Sequence, residues 1–193
     1  MAELSPLRVG KLTASRAAVI MGGLDTSGLA TLTKRLAWER VYGDTAEAGY
    51  RGPAMERGQE VEPAALDWYE FQRDLELARG EFMQHPTIAF VSSTPDGLAP
   101  GLVVEAKSPL HGAWMEVKRT GLVPAEYRWQ CRWQQWCAGV GHCDFVCYHP
   151  VAGGLIVPTS VTDSEIEQMA ERAYVVDAMV QKWVDVLQTR KAA

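Results

Sequence analysis

No run of about 18 consecutive apolar residues occurs in this chain, so its sequence offers no transmembrane helix. The opening MAELSPLRVGKL lacks the apolar centre of a signal peptide, which points to a cytoplasmic protein. Cysteine is scarce and confined to one segment, as Cys131, Cys137, Cys143 and Cys147. No C-x-x-C pair is present, and the first two fall in a helix-like run while the last two fall on an expected strand. A zinc or iron-sulfur cage is therefore disfavoured against buried free thiols, and an intracellular chain of this length needs no disulfides. Repeats, low-complexity tracts and linkers are also missing, so the 193 residues are read as one domain, 1–193. Positive charge is not in excess. A net charge of -5 argues against a surface coated for nonspecific DNA binding, although a local basic groove can coexist with an acidic exterior. At 47% hydrophobic and 22% charged residues, the composition is that of an ordinary globular protein.

The most informative stretch is Ser92 to Pro109, SSTPDGLAPGLVVEAKSP. Ser92 to Thr94 and Leu102 to Lys107 suit short strands, and Pro95-Asp96-Gly97 with Pro100-Gly101 supply turn residues between them, so a hairpin is expected. Side chains alternate across a strand, which places Glu105 and Lys107 on one face, and a hairpin brings Asp96 beside them. Two carboxylates and an amine suit a hard divalent cation, which is commonly held by one or two carboxylates while keeping several waters. Such a site points to metal-assisted phosphodiester hydrolysis, with Lys107 holding or activating water or offsetting developing charge. The plainer reading of the same residues is a Pro-Asp-Gly turn followed by an exposed ion pair.

Elsewhere the chain alternates helices and strands. A short helix follows Thr13 and Ser15, either of which is available as its N-cap, and stops at Gly22-Gly23. Thr26 or Ser27 caps a helix from about Leu29 to Tyr42. After a turn-rich stretch from Gly43 to Gly52, a helical segment runs to about Arg73, with a start or kink at Pro63. Asp74 to Met83 and Ile88 to Thr94 are expected strands, and His85 between them is a turn residue. Leu110 to Lys118 is expected to be helical. Pro124 opens a helix whose aromatics and cysteines form a buried stripe that includes Trp129, Trp133 and Trp136. Cys143 to His149 and Leu155 to Val161 are paired strands, and Thr162 or Asp163 caps a last amphipathic helix. The order describes an α+β protein, with a sheet flanked by helices.

Several of these residues together resemble the lambda-type, YqaJ-like phage exonucleases of the PD-(D/E)-x-K superfamily. The resemblance rests on R-x-G-x-x-T-A-S from Arg8 to Ser15, on Gly58, Glu62, Ala65, Tyr69 and Glu70 in one helix, on TPDGL through VEAKSP, and on the Tyr127 to Gln130 spacing. It implies a restriction-endonuclease-like core, with a central mixed β-sheet between α-helices. It also implies a Mg2+ site, with Mn2+ able to substitute, at Asp96 and Glu105 and the backbone carbonyl of Ala106. Glu62 supports that site, and Glu56 and Glu60 are left as surface residues. By the same resemblance Arg8, Ser15, Thr94, Gln130 and Tyr127 serve the DNA and its terminal 5′-phosphate, Thr94 standing where the family has a serine. The implied activity is 5′-to-3′ digestion of one strand of duplex DNA, leaving a 3′ overhang for a single-strand annealing protein, carried out by a homotrimer that rings the DNA. A nicking or structure-specific endonuclease on the same core, and a noncatalytic DNA-binding or iron-sulfur module, are the alternatives.

Overall fold

The computed structural model describes residues 6–43 and 53–189. A two-residue strand β1 (Leu12–Thr13) leads through a 3-10 turn (Ala14–Arg16) into α1 (Ala17–Ile20) and α2 (Ser27–Tyr42). The long helix α3 (Pro53–Arg73) follows, and then the short strands β2 (Ala78–Arg79), β3 (Met83–Gln84) and β4 (Val91–Ser93). β5 (Gly97–Ala99) and β6 (Leu102–Lys107) form a hairpin, followed by α4 (His111–Thr120) and α5 (Ala125–Ala138). β7 (His142–His149), β8 (Gly153–Ser160) and α6 (Asp163–Thr189) complete the chain.

Two sheets result, one of five strands in the order β2-β5-β6-β7-β8 and one of three in the order β1-β4-β3. In the larger sheet only β6 and β7 are parallel, because the connection between them is the α4–α5 crossover rather than a turn. Alternation along these strands sorts the core. Ala65, Leu66 and Tyr69 of α3 pack on Val104, Ala106 and Val146 from one face, while α4 and α5, the latter with Cys131, cover Val103, Cys143, Phe145 and Cys147 on the other. A third cluster joins α1, α2 and α6 to the small sheet through Leu12, Val91, Ile20, Leu29 and Val180. All four cysteines are buried and free. Among the described residues no helix is long and apolar enough to cross a membrane.

Several expectations of local structure need correction. The hairpin partner of Leu102–Lys107 is Gly97–Ala99, not Ser92–Thr94. Both edges of β4 are already taken by β1 and β3, all three of its residues are buried, and Pro95-Asp96 crosses from the small sheet to the large one. Asp74 to Met83 is not one strand. Only Ala78–Arg79 pairs with β5, and Gly80 turns the chain with a φ of 64°. Ile88 to Thr94 shortens to β4 because the preceding residues wrap around His85, whose Nδ1 accepts the backbone N–H groups of Thr87 and Ile88 at 3.2 Å each. Neither Thr13 nor Ser15 caps the first helix, and their hydroxyls instead lie 3.2 Å apart. Pro63 lies within α3 rather than at its start.

Other signals hold. Thr26 Oγ1 accepts the Leu29 N–H at 3.3 Å to cap α2. Thr162 and Glu165 form a reciprocal box at the start of α6, Glu165 N–H to Thr162 Oγ1 at 3.2 Å and Thr162 N–H to Glu165 Oε2 at 3.0 Å. Trp133 and Trp136 are core residues in edge-to-face contact, with centroids 5.0 Å apart.

Candidate active site

The site exists because β5 is short. It ends at Gly97, which stands opposite Val104, so the edge of β6 from Glu105 to Lys107 has no strand on that side. The residue before β5 fills the gap: Asp96 Oδ2 accepts the Ala106 N–H at 2.7 Å, satisfying a backbone donor that would otherwise be buried and unpaired. One cavity opens at this edge, lined by Ala106 and Lys107 but not by Asp96 or the buried Glu105, which stand behind its wall.

From one face come Glu105 and Lys107. Glu105 is fully buried and saturated with donors, its Oε1 accepting from Lys107 Nζ and Gln130 Nε2 and its Oε2 from Gln134 Nε2. From the other face α3 brings Glu62, whose turn of helix is pinned by the buried neighbours Ala65, Leu66 and Tyr69. Tyr69 donates from its hydroxyl to Asp144 Oδ2 of β7 at 2.7 Å, and Arg73 reaches the same oxygen at 2.8 Å, so α3 is held to the sheet by polar contacts as well as packing. Arg57, Gln59, Glu62, Ala106, Lys107 and Tyr127 line the cavity, of volume ≈ 820 Å3. The Lys107 ammonium lies 5.7 Å from the Tyr127 ring centre.

The electrostatics are those of a site short of positive charge. Burial raises the Asp96 carboxyl well above its usual range and the charges of Glu105 and Glu62 add to this, while Lys107 and the Ala106 N–H only partly offset it. Burial likewise lifts Glu62, with Lys107 opposing and Glu105 adding. For Lys107, burial alone would favour the neutral amine. The charges of Glu105 and Asp96 and the hydrogen bond to Glu105 outweigh that, so the ammonium is held above its ordinary range. Three carboxylates thus converge on one lysine, an arrangement that a divalent cation would balance. Among the described residues no group of three or more His, Cys, Asp or Glu side chains is gathered as a cage. Asp96, Glu105 and the Ala106 carbonyl, which accepts weakly from Lys107 Nζ at 3.3 Å, instead suit an ion that keeps much of its water.

The remaining expected residues are placed in two groups. Arg8 and Ser15 line a second, smaller cavity of ≈ 70 Å3 together with Lys11, Thr13, Arg16 and Arg35. Thr94 and Gln130 line neither cavity. Gln130 is spent on Glu105, and the Thr94 hydroxyl is buried without a hydrogen-bond partner among the described residues. The two regions are joined through the fold, since Thr13 is in register with Ser92 and the 3-10 turn carrying Ser15 packs against α5. The side chain of Glu56 falls outside the described residues, and Glu60 is exposed.

Sequence reading missed Gln134, Arg57 and Asp144. Gln134 carried a signal, because Gln130 and Gln134 are one helical turn apart and must share a face. Arg57, whose guanidinium donates to the Ser108 carbonyl at 2.5 Å, and Asp144 are recognisable only once the elements are assembled.

Fold and site define a nuclease of the restriction-endonuclease-like type. The chain belongs to the YqaJ-like viral recombinase domain family, whose model matches residues 4–141. It is similar to the crystal structure of an alkaline exonuclease, LHK-Exo, from Laribacter hongkongensis, at 27% identity and a TM-score of 0.86 over 96% of this chain and 95% of that one. Against LHK-Exo in complex with dAMP the TM-score is 0.89 at 27% identity, over 100% and 98% of the two chains. A phage related exonuclease from Haemophilus somnus 129PT shares the fold, with a TM-score of 0.69 at 17% identity over 94% and 96%. No curated protein sequence matches this chain.

Proposed function

We propose that this protein is a divalent-metal-dependent DNA exonuclease of recombination, using Mg2+ or Mn2+ to digest one strand of duplex DNA from 5′-phosphorylated ends and leave a 3′ single strand for an annealing protein. The pairing of Lys107 with Glu105, the Asp96 carboxylate bonded to the Ala106 N–H between them, and Glu62 across the same cavity from Lys107 carry this reading. A cation held by Asp96, Glu105 and the Ala106 carbonyl supplies Lewis-acid stabilisation of charge developing on the phosphodiester. The chain's own residues do the rest. Gln130 and Gln134 fix the Glu105 carboxylate in one orientation, and Lys107, kept cationic by its neighbours, orients water by hydrogen bonding and offsets negative charge at the reacting phosphate. Glu62 faces the same space from α3, and Tyr127 walls it from α5.

Arg8 and Ser15 are assigned to the terminal phosphate, since a guanidinium in a small cavity suits a bidentate phosphate contact; the Thr94 hydroxyl, buried and outside this cavity, is left out of that contact. Duplexes labelled at either end, with and without 5′-phosphate, test the assignment. In Mg2+ the wild type should release nucleotides from the 5′ end and prefer phosphorylated ends, while a covalently closed circle should survive. Arg8→Ala should shrink the phosphate-over-hydroxyl rate ratio, by about tenfold or more for a lost charged hydrogen bond. An unchanged ratio removes Arg8 from this role.

The same reading includes a homotrimer closed around DNA. A chain of net charge -5 has little general attraction for a polyanion, and enclosure retains a duplex through repeated cuts where surface charge does not. Light scattering of the purified protein should report a mass near three chains. A monomer at micromolar concentration that releases DNA after each cut would remove the ring and leave the nuclease assignment standing.

A further inference from the structure

The small cavity of Arg8 and Ser15 has a neighbour. Arg16, Leu32 and Arg35 form a wall that it shares with a second cavity of ≈ 410 Å3, which continues past Val19, Gly28 and Thr31. The two cavities draw on different elements. Thr13, in the smaller one, stands beside Ser92 of the strand that leads to Asp96, whereas Val19 lies in α1 and Gly28 and Thr31 in the first turns of α2.

Charge on the shared wall is unbalanced. Of Arg8, Arg16 and Arg35, only Arg35 is paired, its Nε donating to Glu39 Oε1 at 2.9 Å. The other oxygen of Glu39 accepts the Gly10 N–H at 2.9 Å, so each oxygen of this carboxylate already holds one donor. The side chains of Arg8 and Arg16 make no hydrogen bond or salt bridge with any described residue, and both are half-buried. Burial pulls the Arg16 guanidinium down from its ordinary range, repulsion from Arg35 and Arg8 pulls it further, and Glu39 only partly opposes them. Three guanidiniums that share the one carboxylate of Glu39 leave an excess of positive charge, which an anion from outside would balance.

Size separates the two compartments. At roughly 10–15 Å3 of such space per water-sized atom, the smaller cavity admits about one phosphate group and no more. We propose that the larger cavity is a second anion subsite, which receives a further phosphate carried on the 5′ side of the terminal one, with Arg16 on the shared wall as its principal contact. This inference rests on the assignment of Arg8 to the terminal phosphate. Two kinds of DNA end present that chemistry. One is a 5′-triphosphate. The other is a single unpaired 5′ nucleotide bearing its own phosphate, whose internal phosphodiester then occupies the smaller cavity.

Equilibrium binding in EDTA, followed by fluorescence anisotropy, separates these cases without cleavage. Four duplexes are compared, with blunt hydroxyl, blunt monophosphate, blunt triphosphate and phosphorylated one-nucleotide-overhang 5′ ends. The wild type should bind the triphosphate or the overhang about tenfold more tightly than the blunt monophosphate, the size of one charge-assisted hydrogen bond. A gain confined to either one identifies the source, and a gain on both establishes the shared chemistry. Arg16→Ala should lose the gain yet still favour phosphate over hydroxyl, and Arg16→Lys should recover part of it. Since Arg16 has no bonded partner among the described residues, these variants should melt with the wild type. Equal wild-type affinity for the three phosphorylated ends, or a gain that survives Arg16→Ala, overturns the subsite. No wild-type preference between blunt phosphate and hydroxyl would bring down the Arg8 assignment first, and the subsite with it.

Discussion

Asp96→Ala is expected to lower cleavage of duplex DNA in Mg2+ on the order of 10^3-fold or more, above the 10^2 to 10^3 that the loss of one charge-stabilising donor costs an enzyme. The aspartate has two duties. Its carboxylate is half of the acidic pair, and its Oδ2 also accepts the Ala106 N–H, so it sets the course of the strand carrying Glu105 and Lys107. Asp96→Asn retains an oxygen acceptor for that N–H while removing the charge, and should be equally inactive. The corresponding change on β6 is Glu105→Gln rather than Glu105→Ala, because alanine would leave the Gln130 and Gln134 amides unsatisfied in the interior, at about 1–3 kcal/mol for each group. Calorimetric titration with Mn2+ should show ion binding weakened in Asp96→Asn and Glu105→Gln while both variants remain folded. A folded Asp96→Ala protein that degrades duplex at the wild-type rate would place the active site elsewhere.

Lys107→Ala is expected to separate chemistry from ion binding. The lysine pairs with Glu105 and adds positive charge beside Asp96, so it competes electrostatically with any cation entering the site. Its removal should leave Mn2+ binding as tight as in the wild type or tighter, while turnover falls by about 10^2 to 10^3, the usual cost of losing one preorganised charge at the reacting group. Weaker ion binding in this variant would make the lysine a structural support for the metal site. A wild-type rate would take it out of the chemistry altogether.

The shared face of Glu105 and Lys107 was legible in the sequence because strand alternation is a strong local rule once Leu102 to Lys107 is a strand, whereas Asp96 reaches them through a different hairpin from the one expected. The caps of α2 and α6 were equally plain, since each is set within four residues. Glu62 was not legible from physics alone. Glu60 and Glu62 are alike as helical glutamates, and only the spacing from Gly58 and Ala65 that resembles the family chose between them. The strand partner of β6 was misread because SSTP carries no alternation. Ser92 and Ser93 are polar residues buried in the small sheet, where burial follows from β1 and β3 on either side rather than from side-chain type. The arginine-lined cavities join β1, the 3-10 turn and α2 through contacts such as Gly10 with Glu39, and no local pattern announces a meeting across 29 residues of chain.

The parallel pairing of β6 with β7 also sets an order of assembly. The β5–β6 hairpin closes through a two-residue turn and needs nothing distant, so Asp96, Glu105 and Lys107 come together early as the chain emerges. β7 cannot join β6 until all of α4 and α5 has been made, and α5 carries the glutamines that hold Glu105 in place. A growing chain that stops short of Gln134 therefore bears the acidic residues on an unsupported ribbon, without the back wall that orients them. The orientation of Glu105 is therefore complete only once the crossover has been made.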